Sequence, residues 1–441
     1  MSRFTHSHLR PRISLITVLL LITLHTPAQR PNIIYIMTDD MGYGDLSGYG
    51  RKEYATPNLD TLASQGIKFV NAYAAAPLCT PTRVAFMTGR YPARTPVGLY
   101  EPLTGEGKDT TIGLTNSYTS IATLMKAAGY ETALIGKWHL GIRPEHSPVK
   151  AGFDYFFGIR GGAADYRSHK GDRKTNDLYE MDTPVYIEGY LTDLFTQKAI
   201  TFIRQQRKKP FFITLAYNAP HWPWQGPQDP PYADTVNFRT GGSAAIYAAM
   251  MKSLDDGIGA IMKTLEEEQL SGQTIIIFTN DNGGERYSDQ AGLSKAKGSL
   301  WEGGIRVPAL VRWPGRISPG TITQQAAITM DWTATILSAA GARPASAFPL
   351  DGINLMPILT GRKTNIDRTF YWRTFQRSQQ KAIQHGNWKY LQDEKGEFLF
   401  DLSTDQREIN DRKSTHPDVF NALKKMYAQW EKSVLQPIPL Q

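Results

Sequence analysis

The 441-residue chain holds a single cysteine, Cys79, in the run Cys79-Thr80-Pro81-Thr82-Arg83. A lone cysteine in an exported chain closes no internal disulfide, so it is either incidental or present for its chemistry. The neighbouring residues favour chemistry. Pro81 suits the first turn of a helix, where its missing N–H costs nothing. Arg83, about one helical turn on, then falls beside the thiol. The run continues Val84-Ala85-Phe86-Met87-Thr88-Gly89-Arg90. The bland alternative is a small buried thiol.

Two further sets of residues could do chemistry with it. Asp39, Asp40, Asp281 and Asn282 are three carboxylates and an amide. Brought together, the carboxylates would repel one another without a cation, and an all-oxygen shell selects Ca²⁺ or Mg²⁺ over zinc. Each pair alone could be a turn or a helix cap. Both pairs, each following an apolar run, favour a metal site. The second set is cationic: Arg83, Lys137, His139, His221 and Lys297. Preorganised cations and donors stabilise negative charge that develops as a bond breaks, and a histidine can protonate a leaving group.

Four short apolar runs must position these residues, and each ends in one of the sets. Ile33-Ile34-Tyr35-Ile36-Met37 leads to Asp39-Asp40, and Thr132-Ala133-Leu134-Ile135 leads to Lys137-Trp138-His139. Phe211-Phe212-Ile213-Thr214-Leu215-Ala216 leads to His221, and Thr274-Ile275-Ile276-Ile277-Phe278 leads to Asp281-Asn282. Such runs read as buried parallel strands. Helical stretches at 56–65, 120–128, 191–206 and 244–268 separate them. Alternating strands and helices predict an α/β fold, a large doubly wound mixed sheet sandwiched by helices. Sites in such sheets gather at the carboxyl ends of the strands, which is where all four clusters fall. Beyond about residue 345 the texture changes. Short runs at 370–372, 382–384, 388–391 and 398–402 predict an antiparallel sheet, and a helix from about 414 to 433 follows, with Pro417 in its first turn. The expected organisation is a signal peptide at 1–28, a catalytic domain at 29–345 and a small α+β subdomain at 346–441.

The signal reading rests on Arg3, Arg10 and Arg12, an apolar stretch at 13–24 and the small residues Thr26-Pro27-Ala28. The apolar stretch is short for a membrane span. It predicts export, to a periplasm or the medium, with no stable membrane insertion. Removing those three arginines from the formal +8 leaves about +5, a mild excess compatible with polyanionic substrates. No basic block or zinc-ligand cysteine pair points to nucleic acid.

The C-x-P-x-R run followed by T-G-R resembles the signature of the type I sulfatases, of the alkaline phosphatase superfamily. The strings Gly136-Lys137-Trp138-His139-Leu140-Gly141, Pro220-His221-Trp222-Pro223 and Lys297-Gly298-Ser299-Leu300-Trp301-Glu302-Gly303-Gly304 resemble further motifs of that family in its chain order. The match favours Lys297 over the nearby Lys295. The resemblance spans most of the chain, from Pro31 to Leu402. It implies that Cys79 is converted by a formylglycine-generating enzyme to 3-oxoalanine (Cα-formylglycine). It also implies that Asp39, Asp40, residue 79, Asp281 and Asn282 hold one divalent cation, Ca²⁺ or else Mg²⁺. In the implied reaction the hydrated aldehyde attacks sulfur in line. Arg83 favours its ionisation, His221 or Lys297 assists the departing alcohol, and His139 takes the proton that lets sulfate leave. The substrate expected is a sulfated carbohydrate, with the polar stretch 160–180 (Arg160, Arg167, His169, Lys170, Arg173) lining its pocket and Trp222, Trp224, Trp301 and Trp372 offering stacking faces. Two alternatives stand beside this: a phosphodiesterase or phosphonate monoester hydrolase of the same superfamily, and a non-catalytic binder of sulfated glycans.

Overall fold

The computed structural model describes residues 1–2, 30–205, 207–344 and 346–438. The signal-peptide reading of 1–28 rests on residues that lie outside this set. The centre is a ten-stranded mixed sheet. Five strands run side by side and parallel in the order Thr274–Asn280, Asn32–Thr38, Phe211–Ala216, Glu131–Lys137 and Tyr155–Ile159. Ala309–Arg312 adds antiparallel to Thr274–Asn280 and carries the sheet on to Ile67–Phe69 and Thr321–Thr323. Leu178–Glu180 and Thr183–Pro184 close the other edge.

The parallel strands are apolar at almost every position because both faces are covered. Along Asn32–Thr38 the side chains alternate. Ile33, Tyr35 and Met37 enter one core, and Ile34 and Ile36 enter the other. Helices Cys79–Thr88, Ile121–Ala127 and Thr329–Ala340 fill the first core. Helices Pro57–Ser64, Leu191–Arg204 and Ala244–Glu267 fill the second. Ala244–Glu267 shows how a helix is specified here. The Ser243 side chain caps it by accepting from the Ile246 N–H. Tyr247, Met250, Met251, Leu254, Ile258, Ile261 and Leu265 form one buried stripe at helical spacing. Each such side chain contributes roughly 1.5–3 kcal/mol by leaving water. The fold is the doubly wound mixed sheet that the alternating pattern predicts.

After this sheet comes a four-stranded antiparallel one, Thr369–Thr374, Gln380–His385, Trp388–Asp393 and Gly396–Asp401, in sequential order. Helix Pro417–Glu431 lays Leu423, Tyr427 and Trp430 on it, ending two residues before the expected 433. Trp372 is buried and its indole N–H donates to the Ala74 carbonyl at 2.8 Å. That bond fastens the small sheet to the segment just ahead of Cys79.

Candidate active site

The register sets the site. Met37 pairs with Ala216 and Thr279, and Gly136 also pairs with Ala216, so these strands end level. Asp39-Asp40, Asp281-Asn282, Lys137 to His139 and His221 therefore emerge together at one end of the sheet. Cys79 is the first residue of helix Cys79–Thr88, after an extended Leu78. Arg83 lies one turn on, and the helix ends at Gly89, whose φ of 67° is the left-handed conformation glycine adopts freely. A Cβ there would meet Leu350 at 2.6 Å, which explains the glycine of the T-G-R string. Asp40 and His139 also have positive φ, 64° and 56°. Residues other than glycine seldom hold this backbone, and it concentrates at functional sites.

The structure brings the expected residues into one buried network. The Arg83 guanidinium donates to Asp281 Oδ2 at 2.9 Å and to the Lys137 carbonyl at 3.0 Å. Lys137 Nζ pairs with Asp39 Oδ2. Lys297 Nζ pairs with Asp40 Oδ2 at 2.5 Å, and His221 Nε2 lies 3.5 Å from the same oxygen. His221 Nδ1–H donates to the Trp222 carbonyl at 2.6 Å, which leaves Nε2 as the acceptor facing the cleft. His139 Nε2–H donates to the Leu103 carbonyl at 2.9 Å, and its Nδ1 is buried without a partner.

Burial raises the Asp39 carboxyl, but the charges of Lys137, His221, Arg83 and Lys297 outweigh it and hold the group well below the usual range. Asp281 goes the other way. Burial and the charge of Asp39 lift it well above the usual range, beyond what Arg83 and Lys137 offset. Burial pushes His221 down to about 4 and the Cys79 thiol up to about 12. An unmodified thiol here stays protonated at neutral pH and is a poor nucleophile.

A divalent cation fits this donor set. One oxygen each from Asp39 and Asp40, Cys79 Sγ and a His221 nitrogen lie within 4.8 Å of one another. Asp39 Oδ1 and Asn282 Oδ1 are buried with no hydrogen-bond partner. Such orphaned acceptors are costly unless something fills their need. The raised Asp281 shows the same deficit of positive charge. Asp281 itself is engaged by Arg83 and by the Asp40 N–H at 3.4 Å, and the Asn282 amide donates to Asp40 Oδ1 at 2.7 Å. His221, expected only as a proton donor, belongs to the same cluster.

A cleft of about 480 Å³ opens over Cys79, His139, His221 and Lys297. The polar stretch 160–180 lines it less than expected. Arg160 turns away to Asp182 at 2.6 Å and stacks on Tyr179. His169 bonds the Gly189 carbonyl, Lys170 pairs with Asp234, and Arg167 lies over Tyr190. Asp172 and Lys174 do reach the cleft, while Arg173 lines only a small neighbouring pocket. Of the four tryptophans, Trp222 alone lines the cleft. Trp224 packs on Tyr287, Trp301 on Phe398 and Phe400, and Trp372 lies in the C-terminal core. Sequence reasoning missed Glu106, Arg239, Glu285 and Arg377, which also line it. These four sit in irregular segments that carry no periodic signal. Glu285 alone had a cue, following Asn282-Gly283-Gly284 directly.

Comparison with known proteins agrees with this picture. The family model described as Sulfatase matches residues 31–342. The model for the N-sulphoglucosamine sulphohydrolase C-terminal region matches 295–433. The chain is 35% identical over 371 residues to N-acetylgalactosamine-6-sulfatase of Homo sapiens, covering 78% of this chain and 69% of that protein. It is 31% identical to human steryl-sulfatase, covering 78% and 72%. The crystal structure of Ps i-CgsB in complex with k-i-k-neocarrahexaose superposes with a TM-score of 0.83 at 30% identity, covering 93% of this chain and 95% of that one. The chain belongs to the sulfatase family. It is an enzyme of the sulfuric ester hydrolase class.

Proposed function

We propose that the chain is an exported carbohydrate sulfatase that works through residue 79 as nucleophile, beside one Ca²⁺. The observation that carries this reading is the convergence of Cys79, His221 and the Asp39-Asp40 pair within 4.8 Å, under a cleft ringed by Lys297 and His139. Asp39, Asp40, Asp281, Asn282 and residue 79 would hold the cation, with Mg²⁺ as the other candidate. The formylglycine hydrate would supply a nucleophilic oxygen and a second hydroxyl whose deprotonation would reform the aldehyde as sulfate leaves with the first oxygen, and the cation would supply charge compensation.

The chain's own side chains do the rest. Lys137 and Arg83 hold Asp39 ionised at the floor of the site, and Arg83 also fixes the Asp281 carboxyl. Lys297, tethered to Asp40, presents its ammonium to the cleft, where it neutralises charge on the scissile sulfate. The Trp222 carbonyl fixes the His221 ring with its Nε2 lone pair toward the cleft, and the Lys297 ammonium is the group that can give a proton to the leaving oxygen. His139 Nδ1 has no protein partner and is the acceptor for the proton given up when sulfate departs. Burial keeps bulk water from the floor, which strengthens each of these charges.

The relatives support a sulfated sugar as the substrate class. The human relative is named an N-acetylgalactosamine-6-sulfatase, and Ps i-CgsB is seen in complex with k-i-k-neocarrahexaose. A sulfated galactan or a glycosaminoglycan fragment therefore heads the test panel. The partners implied are that glycan and a formylglycine-generating maturation enzyme. The decisive experiment takes protein made in a host with such an enzyme and measures two things. The first is the mass of tryptic peptide 69–83, which must show loss of the cysteine sulfur and gain of an aldehyde. The second is sulfate against phosphate release from matched sugar esters. An intact thiol in active protein would overturn the nucleophile, and faster phosphate release would move the assignment to a phosphoester hydrolase.

A further inference from the structure

Three cations stand at the cleft mouth beyond Lys297, and they are not equivalent. Lys174 Nζ donates to the Val236 carbonyl at 2.9 Å and sits 3.6 Å over the Phe238 ring. Arg239 lies 4.9 Å over Trp222, and its charge acts on Asp172 and Glu285. Arg377 lines the same cleft with an exposed side chain. Among the described residues, no ion pair or side-chain hydrogen bond engages it.

The turn that carries Arg377 is nevertheless firmly built. It joins strands Thr369–Thr374 and Gln380–His385. On one side the buried Glu101 carboxylate accepts the Phe375 N–H at 2.9 Å and the Gln376 N–H at 3.0 Å, while the Glu101 N–H donates to the Gln376 side chain at 2.9 Å. On the other side Gln380 donates to Ser378 Oγ at 2.6 Å and accepts the Leu300 N–H at 2.8 Å. Gln380 thereby ties the turn to the loop that follows Lys297. Burying a carboxylate is costly, and here the Phe375 and Gln376 N–H bonds both offset that cost and fix the turn. A guanidinium carried on a fixed turn and left unpaired is available to an anion from outside, and its planar fork matches a sulfate or a carboxylate with two parallel bonds.

We propose that Arg377 is a specificity residue that binds a second anionic substituent of the substrate, a sulfate or a carboxylate, next to the sulfate being cleaved. This rests on the cleft being the reaction site. The preferred substrate is then a doubly anionic oligosaccharide rather than a singly sulfated sugar.

The test compares wild type, Arg377→Ala and Arg377→Lys on three matched disaccharides: one with a single sulfate, one with a second sulfate, and one with a single sulfate beside a uronate. Losing a charge-assisted bond should lower kcat/KM for a doubly anionic substrate about 10- to 100-fold more than for the singly sulfated one, mainly through KM, with Lys restoring part of it. Which of the two doubly anionic sugars suffers identifies the group read. The same three ligands are titrated calorimetrically against Cys79→Ala protein with and without Arg377→Ala. Equal losses on all three ligands, or none, would overturn the role of Arg377. Absence of turnover by wild type, with binding still discriminating, would instead overturn the reaction site and leave Arg377 standing.

Discussion

Two buried clusters of carboxylates and cations can be set side by side in this molecule. One is the floor of the cleft, with Asp39, Asp40 and Asp281 against Arg83, Lys137 and Lys297. The other lies under the C-terminal sheet, where Lys389 Nζ bridges Glu302 at 2.8 Å and Glu408 at 2.7 Å. The second is closed. Glu302 also takes the Tyr73 hydroxyl at 3.0 Å and Arg306 at 3.2 Å, and Glu408 takes the Glu302 N–H at 2.6 Å. Three of the four carboxylate oxygens there accept a hydrogen bond, and the fourth, Glu408 Oε1, is met by the Lys389 ammonium at 2.7 Å as an ion pair only. The cleft cluster leaves Asp39 Oδ1 and Asn282 Oδ1 without partners and opens to a cavity of about 480 Å³. Burial of charge is common to both. Acceptors with no charge partner and access to a cavity mark a place for chemistry, and closed pairing of every charge marks a joint.

The sharpest break of that comparison is a crossed pair of variants. Cys79→Ala should lower kcat at least about 10⁴-fold, as removal of a nucleophile does. Because it removes one buried atom, it should change the unfolding free energy by only about 1 kcal/mol. Lys389→Met should do the reverse. It strands two buried carboxylates and should cost about 3–5 kcal/mol of stability, with kcat of the surviving folded enzyme within a few-fold of wild type. Denaturant unfolding and initial rates on the same preparations check both. Collapse of kcat per folded molecule in Lys389→Met would make the joint part of the site.

Much of the cleft cluster is legible in the chain, and the joint is not. Asp39 and Asp281 directly follow apolar strands, Lys137 ends one, and His221 comes a short loop after another, so a parallel sheet must carry them to one edge. Cys79 and Arg83 share one helical turn. Lys389 falls inside a correctly read strand, Trp388–Asp393, but strand alternation cannot say that Glu302 and Glu408 come from elsewhere to meet it. The pocket wall fails for a related reason. Arg160 and Lys170 look like free cations in the sequence, and tertiary pairing with Asp182 and Asp234 consumes them. Arg377 looks like an ordinary turn residue until Glu101, far off in the chain, is seen to hold its turn.

A smaller effect separates the clusters by what each can bind. Ca²⁺ at a hundred times its dissociation constant should stabilise the protein by about 2.7 kcal/mol, and a chelator should remove that gain. Asp39→Ala should abolish the response. Lys389→Met, less stable at the start, should keep it in full. Thermal or denaturant unfolding with and without the cation reads this without any turnover. A calcium response that survives Asp39→Ala would place the ion elsewhere.

The smallest effect is one of pH, and it belongs to the joint. Burial lifts the Glu408 carboxyl to about 7, Lys389 pulls it down by less, and the charge of Glu302 lifts it further. Between the ordinary glutamate value and about 7, the folded protein keeps a proton that the unfolded chain has lost. Unfolding therefore releases a proton, and stability falls as pH rises through that window. The contribution is fully present below the ordinary value and lost above about 7. Unfolding free energies measured from pH 5 to 8 should decline more steeply in wild type than in Glu408→Gln, which cannot titrate. Cys79→Ala, unfolded over the same range, should keep the wild-type slope, because the change in slope belongs to a closed cluster that the cleft does not reach. An unchanged slope in Glu408→Gln would mean that Lys389 holds both carboxylates ionised across the whole range, with its ammonium shared evenly between them.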